Sequence, residues 1–302
     1  MHQHDRTRFS IVVPAYNEAG YLGCSLTSLQ NQDFTGPYEI IVVDNNSTDD
    51  TAAVAASYGV RVVHEPEQGV CSARQRGADV SNGEIIVSVD ADTVYPPDWL
   101  STINARFADS EEIVAVAGPC RFGNPSWWSK RFPTLMFGIV AGLFALTGFV
   151  AYVSATNIAM RRSAFPGYDL RLTQGGDEFD LLRRLRRRGK VVWDRRNVVV
   201  TSARRMQRGL IYNLFVSLFV YYLLGYLLNR ISARRTIGMA PAFRSEASSQ
   251  SRSGDTKHEG PLSRLGRRAL FAIGVVVVLT SLGVAKFAGP AAASLSEFWK
   301  GP

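Results

Sequence analysis

The chain has 302 residues, room for one large domain with an appendage or for two modest domains. Its 46% apolar and 20% charged residues exclude disordered, collagen-like and coiled-coil classes. Three cysteines (Cys24, Cys71, Cys120) without a close C-x-x-C pair exclude a disulfide scaffold and a cysteine-zinc site. The net charge of +8 conceals a split: residues 1–160 carry 9 Lys+Arg against 17 Asp+Glu, and residues 161–302 carry 25 against 9. The basic half also holds long uncharged runs, which suit anionic lipid headgroups better than nucleic acid, so membrane lipids are expected as partners and nucleic acid is not. The opening MHQHDRTRFSIVVP lacks the apolar core of a secretory signal, so the main folded part is expected on the cytoplasmic side of a cell membrane.

Short β-branched runs at 9–14, 38–44, 60–64, 84–90 and 112–118 read as buried parallel strands. Helical patterns lie between them at 18–31, 48–58, 70–81 and 97–108. Pro14 is expected to end the first strand, and Ser47 or Asn46 to cap the second helix ahead of Asp49 and Asp50. Alternation at this spacing predicts an α/β fold, a mostly parallel sheet with helices on both faces and ligands beyond the carboxyl ends of its strands. Further on, 132–160 carries no charge and is expected to form an apolar core or interfacial helix. One crossing there would put the predicted strand ends before 132 and the acidic GGDEFD segment after 160 on opposite sides of a bilayer. In GGDEFDLLRRLRRRGK (175–190), Leu181, Leu182 and Leu185 mark one helical face, and Gly189 is a stop. Residues 209–229 read as a membrane helix or re-entrant segment, 230–268 as a basic flexible loop, and 269–288 as a transmembrane helix.

Chemistry is concentrated at the predicted strand ends. VDAD (89–92) puts Asp90 and Asp92 where two carboxylates can hold a hard divalent cation that keeps positions open for phosphate oxygens. Asp44 ends another strand in VVDNNSTDD, and VPAYNE (13–18) ends the first. Asp177, Glu178 and Asp180 fall in the first turn of a helix, where carboxylates favour the dipole and one can also serve as a general base. No glycine-rich dinucleotide fingerprint and no P-loop is present. His64 reads as a strand-end residue.

Taken in order, VPAYNE, VVDNNSTD, QGVCSARQRGA, VDAD, TNIAMRRSAF and GGDEFDL resemble the inverting glycosyltransferases of family 2 over roughly residues 8–205. The resemblance implies a GT-A domain over 1–208, a UDP- or GDP-linked sugar donor and Mg²⁺ or Mn²⁺. It places Pro14, Ala15, Tyr16 and Glu18 around the nucleoside and Asp44 on the base. Arg74 falls near the nucleotide, Asp90 by the ribose or metal, Asp92 on the metal and Asn157 on the acceptor side. The family usually has Glu-Asp where this chain has Asp177-Glu178, so the base falls on Glu178 or, one residue earlier, on Asp177. The Q-x-x-R-W of processive members is replaced by TSARRMQRG (201–209), leaving Arg204 or Arg205 to meet the diphosphate.

The expected function is therefore metal-dependent, inverting transfer of one sugar to a lipid-linked or envelope-glycan acceptor. A polyprenyl-phosphate glycosyl synthase is the near alternative. A nucleotidyltransferase and a non-catalytic membrane scaffold are the alternatives from other classes.

Overall fold

The computed structural model describes residues 7–123, 127–172 and 176–204. The chain divides into two compact units, Met1–Arg244 and Ser245–Pro302, and every described residue belongs to the first. The expectations for 209–229, 230–268 and 269–288, and for Arg205, fall outside the described residues.

From Phe9 to Ala117 strands and helices follow one another as the apolar runs predict. β1 (Phe9–Ala15), β2 (Tyr38–Asp44), β3 (Arg61–His64) and β4 (Ile85–Ser88) pair in parallel, with α1 (Ala19–Gln30), α2 (Thr51–Ser57) and α3 (Val70–Val80) as their connections. α4 (Trp99–Asp109) leads to β6 (Ile113–Ala117). β8 (Ile158–Arg161) inserts antiparallel between β4 and β6, and β9 (Lys190–Trp193) closes the far edge, giving the order β3-β2-β1-β4-β8-β6-β9. Ile11, Val12 and Val13 are 0%, 1% and 0% exposed, so neither face of β1 meets water, as a doubly covered sheet requires.

Close helix–sheet contact explains one glycine. A Cβ on Gly77 in α3 would lie 2.2 Å from Val12 Cγ1 and 3.0 Å from Val43 Cγ2. Gly77→Ala is expected to destabilise the fold by about 1–3 kcal/mol through overpacking, read by urea unfolding, while leaving the distant strand ends in place.

Two local expectations are corrected. β1 runs through Pro14 to Ala15, because residue 14 faces the β4 side, where pairing already stops at Val12↔Ser88, so no ladder donor is lost. The second helix starts at Thr51 with Asp50 at its N-cap, and neither Ser47 nor Asn46 caps it. Asn46 instead takes a left-handed turn (φ 63°), and the Ser47 hydroxyl accepts the Asn17 N–H at 3.0 Å. Gly189 follows α6 (Gly176–Arg186); its requirement is close approach, since a Cβ there would lie 2.4 Å from Val114 Cγ1.

The run 132–160 divides between three structures: most of α5 (Trp127–Thr147), a connecting loop, and the first part of β8. Among the described residues no helix is long and apolar enough to cross a membrane. α5 buries Phe137 and Val140, with Phe137 stacked on Trp193 at 5.5 Å. Its other side leaves Ile139, Leu143 and Leu146 exposed at 56%, 41% and 85%, and Phe149 just beyond it at 49%.

A second, three-stranded sheet, β5 (Thr93–Val94), β10 (Val199–Ser202) and β7 (Cys120–Gly123), stands beside the carboxyl ends of the main strands. β10 pairs antiparallel with β5, which follows Asp92 directly, and so carries the end of the described chain to the strand-end cluster.

Candidate active site

The strand-end motifs interlock through their own backbones. Asn17, itself left-handed (φ 53°), accepts the Thr48 N–H through Oδ1 at 2.8 Å, and the Thr51 hydroxyl accepts the Glu18 N–H at 2.8 Å. Asn45 donates to the carbonyls of Glu65 and Glu67 at 3.1 and 2.7 Å and accepts the Gly69 N–H at 2.7 Å. The polar residues after β1 and β2 thus brace one another and the entry to α3, which is why Asn and Asp dominate there. Asp44 is buried; it accepts the Ser47 N–H at 3.3 Å and lies 3.4 Å from His64 Nδ1. Pro14, Ala15 and Tyr16 lie at the same edge.

Two arginine forks organise the acidic residues. Arg74 is buried on α3, with Nη1 2.9 Å from Asp177 Oδ2 and Nη2 2.9 Å from Asp90 Oδ1. Burial works against its charge, but Asp90 and Asp177 more than restore it, and its pKa lies above the usual arginine value. The second fork, Arg204, is bidentate to Glu18 at 2.8 and 2.6 Å, reaches Asp92 Oδ2 at 3.0 Å and lies 4.8 Å above the Tyr21 ring. Asp92 also accepts from Thr201 at 3.4 Å, and its carbonyl takes the Ser202 N–H at 3.1 Å. Asp90 and Asp92 are therefore two residues apart yet held by different cations. β4 ends at Ser88, and the two carboxylates sit in the turn beyond it.

The three acidic residues at the start of α6, Asp177 and Glu178 in its first turn and Asp180 just beyond it, occupy three environments. Asp180 is paired with Arg183 and Arg184 at 3.2 and 2.6 Å, and Asp177 is held by Arg74. Glu178 differs from both: Oε1 accepts the Ala155 N–H at 3.2 Å, while Oε2 is buried with no hydrogen-bond partner among the described residues. Burial first, and then the Asp177 carboxylate, pushes the Glu178 carboxyl up to about 8. A buried, half-satisfied carboxyl of this kind can accept a proton from an incoming hydroxyl.

Asn157, which its motif places on the acceptor side, lies in the loop before β8. It is fully buried; its amide donates to the carbonyls of Asn197 and Pro119 at 2.7 and 3.2 Å and accepts Trp99 Nε1–H at 3.0 Å. Its side chain fixes the loop before β8. The group of that loop that touches a site residue is the Ala155 N–H, which carries no side-chain signature. Tyr21 and the Glu18–Arg204 pair have no counterpart in the motifs either. The pair joins residues 186 positions apart, beyond the reach of any spacing rule.

Among the described residues no cluster of three or more His, Cys, Asp or Glu forms a cage for a metal. A cation held by one or two carboxylates and completed by diphosphate oxygens needs no such cage. Asp92 and Glu18 already converge on the positive charge of Arg204, so the donor set fits a divalent ion that arrives with a diphosphate.

Comparison with known proteins agrees with this architecture. Over 105 residues the chain is 41% identical to the uncharacterized glycosyltransferase Rv0539 of Mycobacterium tuberculosis (strain ATCC 25618 / H37Rv), covering 35% of this chain and 46% of that protein. Over 117 residues it is 32% identical to the PGL/p-HBAD biosynthesis glycosyltransferase of Mycobacterium bovis (strain BCG / Pasteur 1173P2), covering 36% and 45%. The chain thus spans less than half the length of these relatives. Its fold is similar to that of glucosyl-3-phosphoglycerate synthase from Mycobacterium tuberculosis, with a TM-score of 0.54 at 20% identity over 76% of this chain and 80% of that one. The pattern of the family described as Glycosyl transferase family 2 matches residues 10–168. A match over more than half of the chain, on a GT-A sheet with the motifs gathered at its carboxyl edge, makes this protein a member of glycosyl transferase family 2.

Proposed function

We propose that this glycosyltransferase moves a single sugar, with inversion, from a nucleoside-diphosphate sugar to a hydroxyl of a lipid-linked or envelope-glycan acceptor at the cytoplasmic face of a membrane. The observation that carries the reading is Glu178, whose one oxygen is pinned by the Ala155 N–H and whose other is buried and unpartnered among the described residues. The similar synthase fold was solved with Mn²⁺ and UDP, which supports a donor of that class and a divalent ion held by Asp92 with Asp90 beside it. When bound, such an ion neutralises charge on the departing diphosphate.

The chain's own residues supply the remainder. Glu178 Oε2 takes the acceptor proton as the acceptor oxygen attacks the anomeric carbon from the face opposite the diphosphate. Arg74 keeps Asp177 and Asp90 in place, so that Glu178 alone in this turn is poised as a base. Pro14, Ala15, Tyr16 and Asp44 line the nucleoside side. Single transfer follows from the missing Gln and Trp of the processive motif.

The test is product analysis with a panel of UDP-, GDP- and CDP-linked sugars. Release of nucleoside diphosphate and a product of inverted anomeric configuration by NMR support the proposal. Release of pyrophosphate would favour a nucleotidyltransferase, and inert protein that binds no donor a scaffold.

Membrane action is supported by α5. Exposed Ile139, Leu143 and Leu146 form an uncharged stripe at i, i+4, i+7, unlike the charged outer face of a helix in water. Arg186 lies 4.2 Å over the adjacent Phe149 ring, putting a cation beside the stripe. The double substitution Ile139→Glu, Leu146→Glu is expected to leave donor affinity unchanged. It should lower kcat/KM on a lipid-linked acceptor about tenfold or more while sparing a short soluble one, the discrimination that loss of an interfacial face produces.

A further inference from the structure

We infer that Arg204 is an exchangeable internal cation: it holds Glu18 and Asp92 until donor arrives and leaves them for the diphosphate, so that metal and nucleotide bind cooperatively. The inference rests on the donor-site reading above and adds a coupling to it.

Four contacts carry it. The guanidinium spans both oxygens of Glu18, reaches the carboxylate of Asp92, and lies over Tyr21. The side chains of Arg204, Glu18 and Asp92 are 19%, 13% and 12% exposed, so these charges compensate one another with little help from water. A fork of this kind has fixed geometry, and the same planar donors that match a carboxylate also match a diphosphate. Arg204 sits two residues beyond β10, whose sheet is anchored to the Asp92 backbone through the Ser202 N–H at 3.1 Å. Its backbone is therefore held close to the metal carboxylate, and a change of partner needs only the side chain to move.

The charges dictate the order of events. A divalent ion approaching Asp92 alone meets a guanidinium already seated there, and displacing it leaves an arginine without a partner in a partly buried site, which opposes binding. A diphosphate arriving with the ion supplies the acceptors that Arg204 gives up. Metal affinity is thus low without nucleotide and high with it. By linkage the nucleotide benefits from the metal by the same factor.

The test measures Mn²⁺ binding to the full chain in detergent by the EPR signal of free Mn²⁺, alone and with UDP, GDP or CDP. Wild type should bind Mn²⁺ weakly alone and at least about tenfold more tightly with the matching diphosphate, the size expected of one additional charge-assisted hydrogen bond. Arg204→Gln should tighten Mn²⁺ alone about tenfold and lose most of the enhancement by nucleotide, a pair of opposite changes that general damage to the site does not produce. Arg204→Lys keeps the charge without the fork, so it should keep Mn²⁺ weak alone while reducing the synergy. It also serves as the second reading if the glutamine variant proves unstable in a thermal melt. Unchanged or weaker Mn²⁺ binding in Arg204→Gln, with nucleotide synergy intact in both variants, overturns the exchange and leaves the donor site standing. Absence of any diphosphate binding to wild type overturns both.

Discussion

Glu178→Gln should lower kcat by about a thousandfold, within the range that a general base contributes, and leave donor affinity within about twofold of wild type. Asp177→Asn should behave differently. Asp177 takes one arm of the Arg74 fork at 2.9 Å, so its loss should weaken donor binding and stability together while turnover falls less steeply. Steady-state kinetics with a soluble hydroxyl acceptor separates the two. Equal turnover of wild type and Glu178→Gln would remove the base assignment and favour an acceptor phosphate, which is already anionic.

The pH dependence follows with a definite sign. The Glu178 carboxyl rises from an ordinary 4.5 to about 8 through burial and the nearby Asp177. Only the deprotonated form accepts a proton, so kcat/KM should climb with pH through about 8 and level off above it, and this limb should vanish in Glu178→Gln. The native state binds this proton more tightly than the unfolded chain does. Its stabilising effect is complete below pH 4.5 and disappears as pH rises through about 8. Glu178→Gln should therefore be more stable than wild type near pH 8, by about 1–3 kcal/mol, and no more stable near pH 4.5. Thermal melts at the two pH values read this directly, and they would show a site that trades stability for chemistry.

Asp92→Ala should weaken metal-dependent donor binding, raising the Kd for donor with Mn²⁺ about a hundredfold, because no cluster of three or more His, Cys, Asp or Glu among the described residues could take its place. Asp90→Asn separates the two aspartates of the motif. It leaves one arm of buried Arg74 without its anion, so it should also unfold more easily, by about 1–3 kcal/mol. Calorimetric titration with Mn²⁺ and donor, beside urea unfolding, distinguishes a metal carboxylate from one that braces the site. Similar losses of binding and stability in both variants would contradict the division of labour drawn from their different partners.

The parts of this molecule that repeat locally are legible in its sequence. Runs of apolar residues set β1, β2, β4 and β6 to within a few residues, because these strands are largely buried and tolerate little else. β3 is also placed correctly, but it is an edge strand whose residues are mostly exposed, not the buried strand its run suggests. Arg74 and Gly77 are legible as a motif, SARQRGA, though not as an inward fork and a close helix–sheet contact. The antiparallel β8 escapes notice since its first residues, Ile158–Met160, end an uncharged run that reads as helix, and only pairing with β4 and β6 makes it a strand. Asn157 shows the converse: a polar residue in a functional motif can serve packing, here by tying Trp99 and the carbonyls of Pro119 and Asn197 together. The division of Asp177, Glu178 and Asp180 into a braced, a poised and a paired carboxylate depends on partners that no spacing contains, above all Arg74 and the Ala155 N–H.

The placement of β10 has a consequence for how the enzyme comes into being. Its pairing partner β5 ends at Val94, yet β10 begins at Val199, so the small sheet beside Asp92 waits for about a hundred residues of synthesis after its first strand has emerged. Local parallel pairing of β1 to β4 can form on the nascent chain well before then, whereas this distant closure comes late. A ribosome-bound chain halted at residue 168, with the whole family match made, would hold most of its sheet and lack both Glu178 and Arg204. Competence therefore arrives near the end of the catalytic domain's translation, and a nascent chain that has folded most of its sheet cannot yet consume donor.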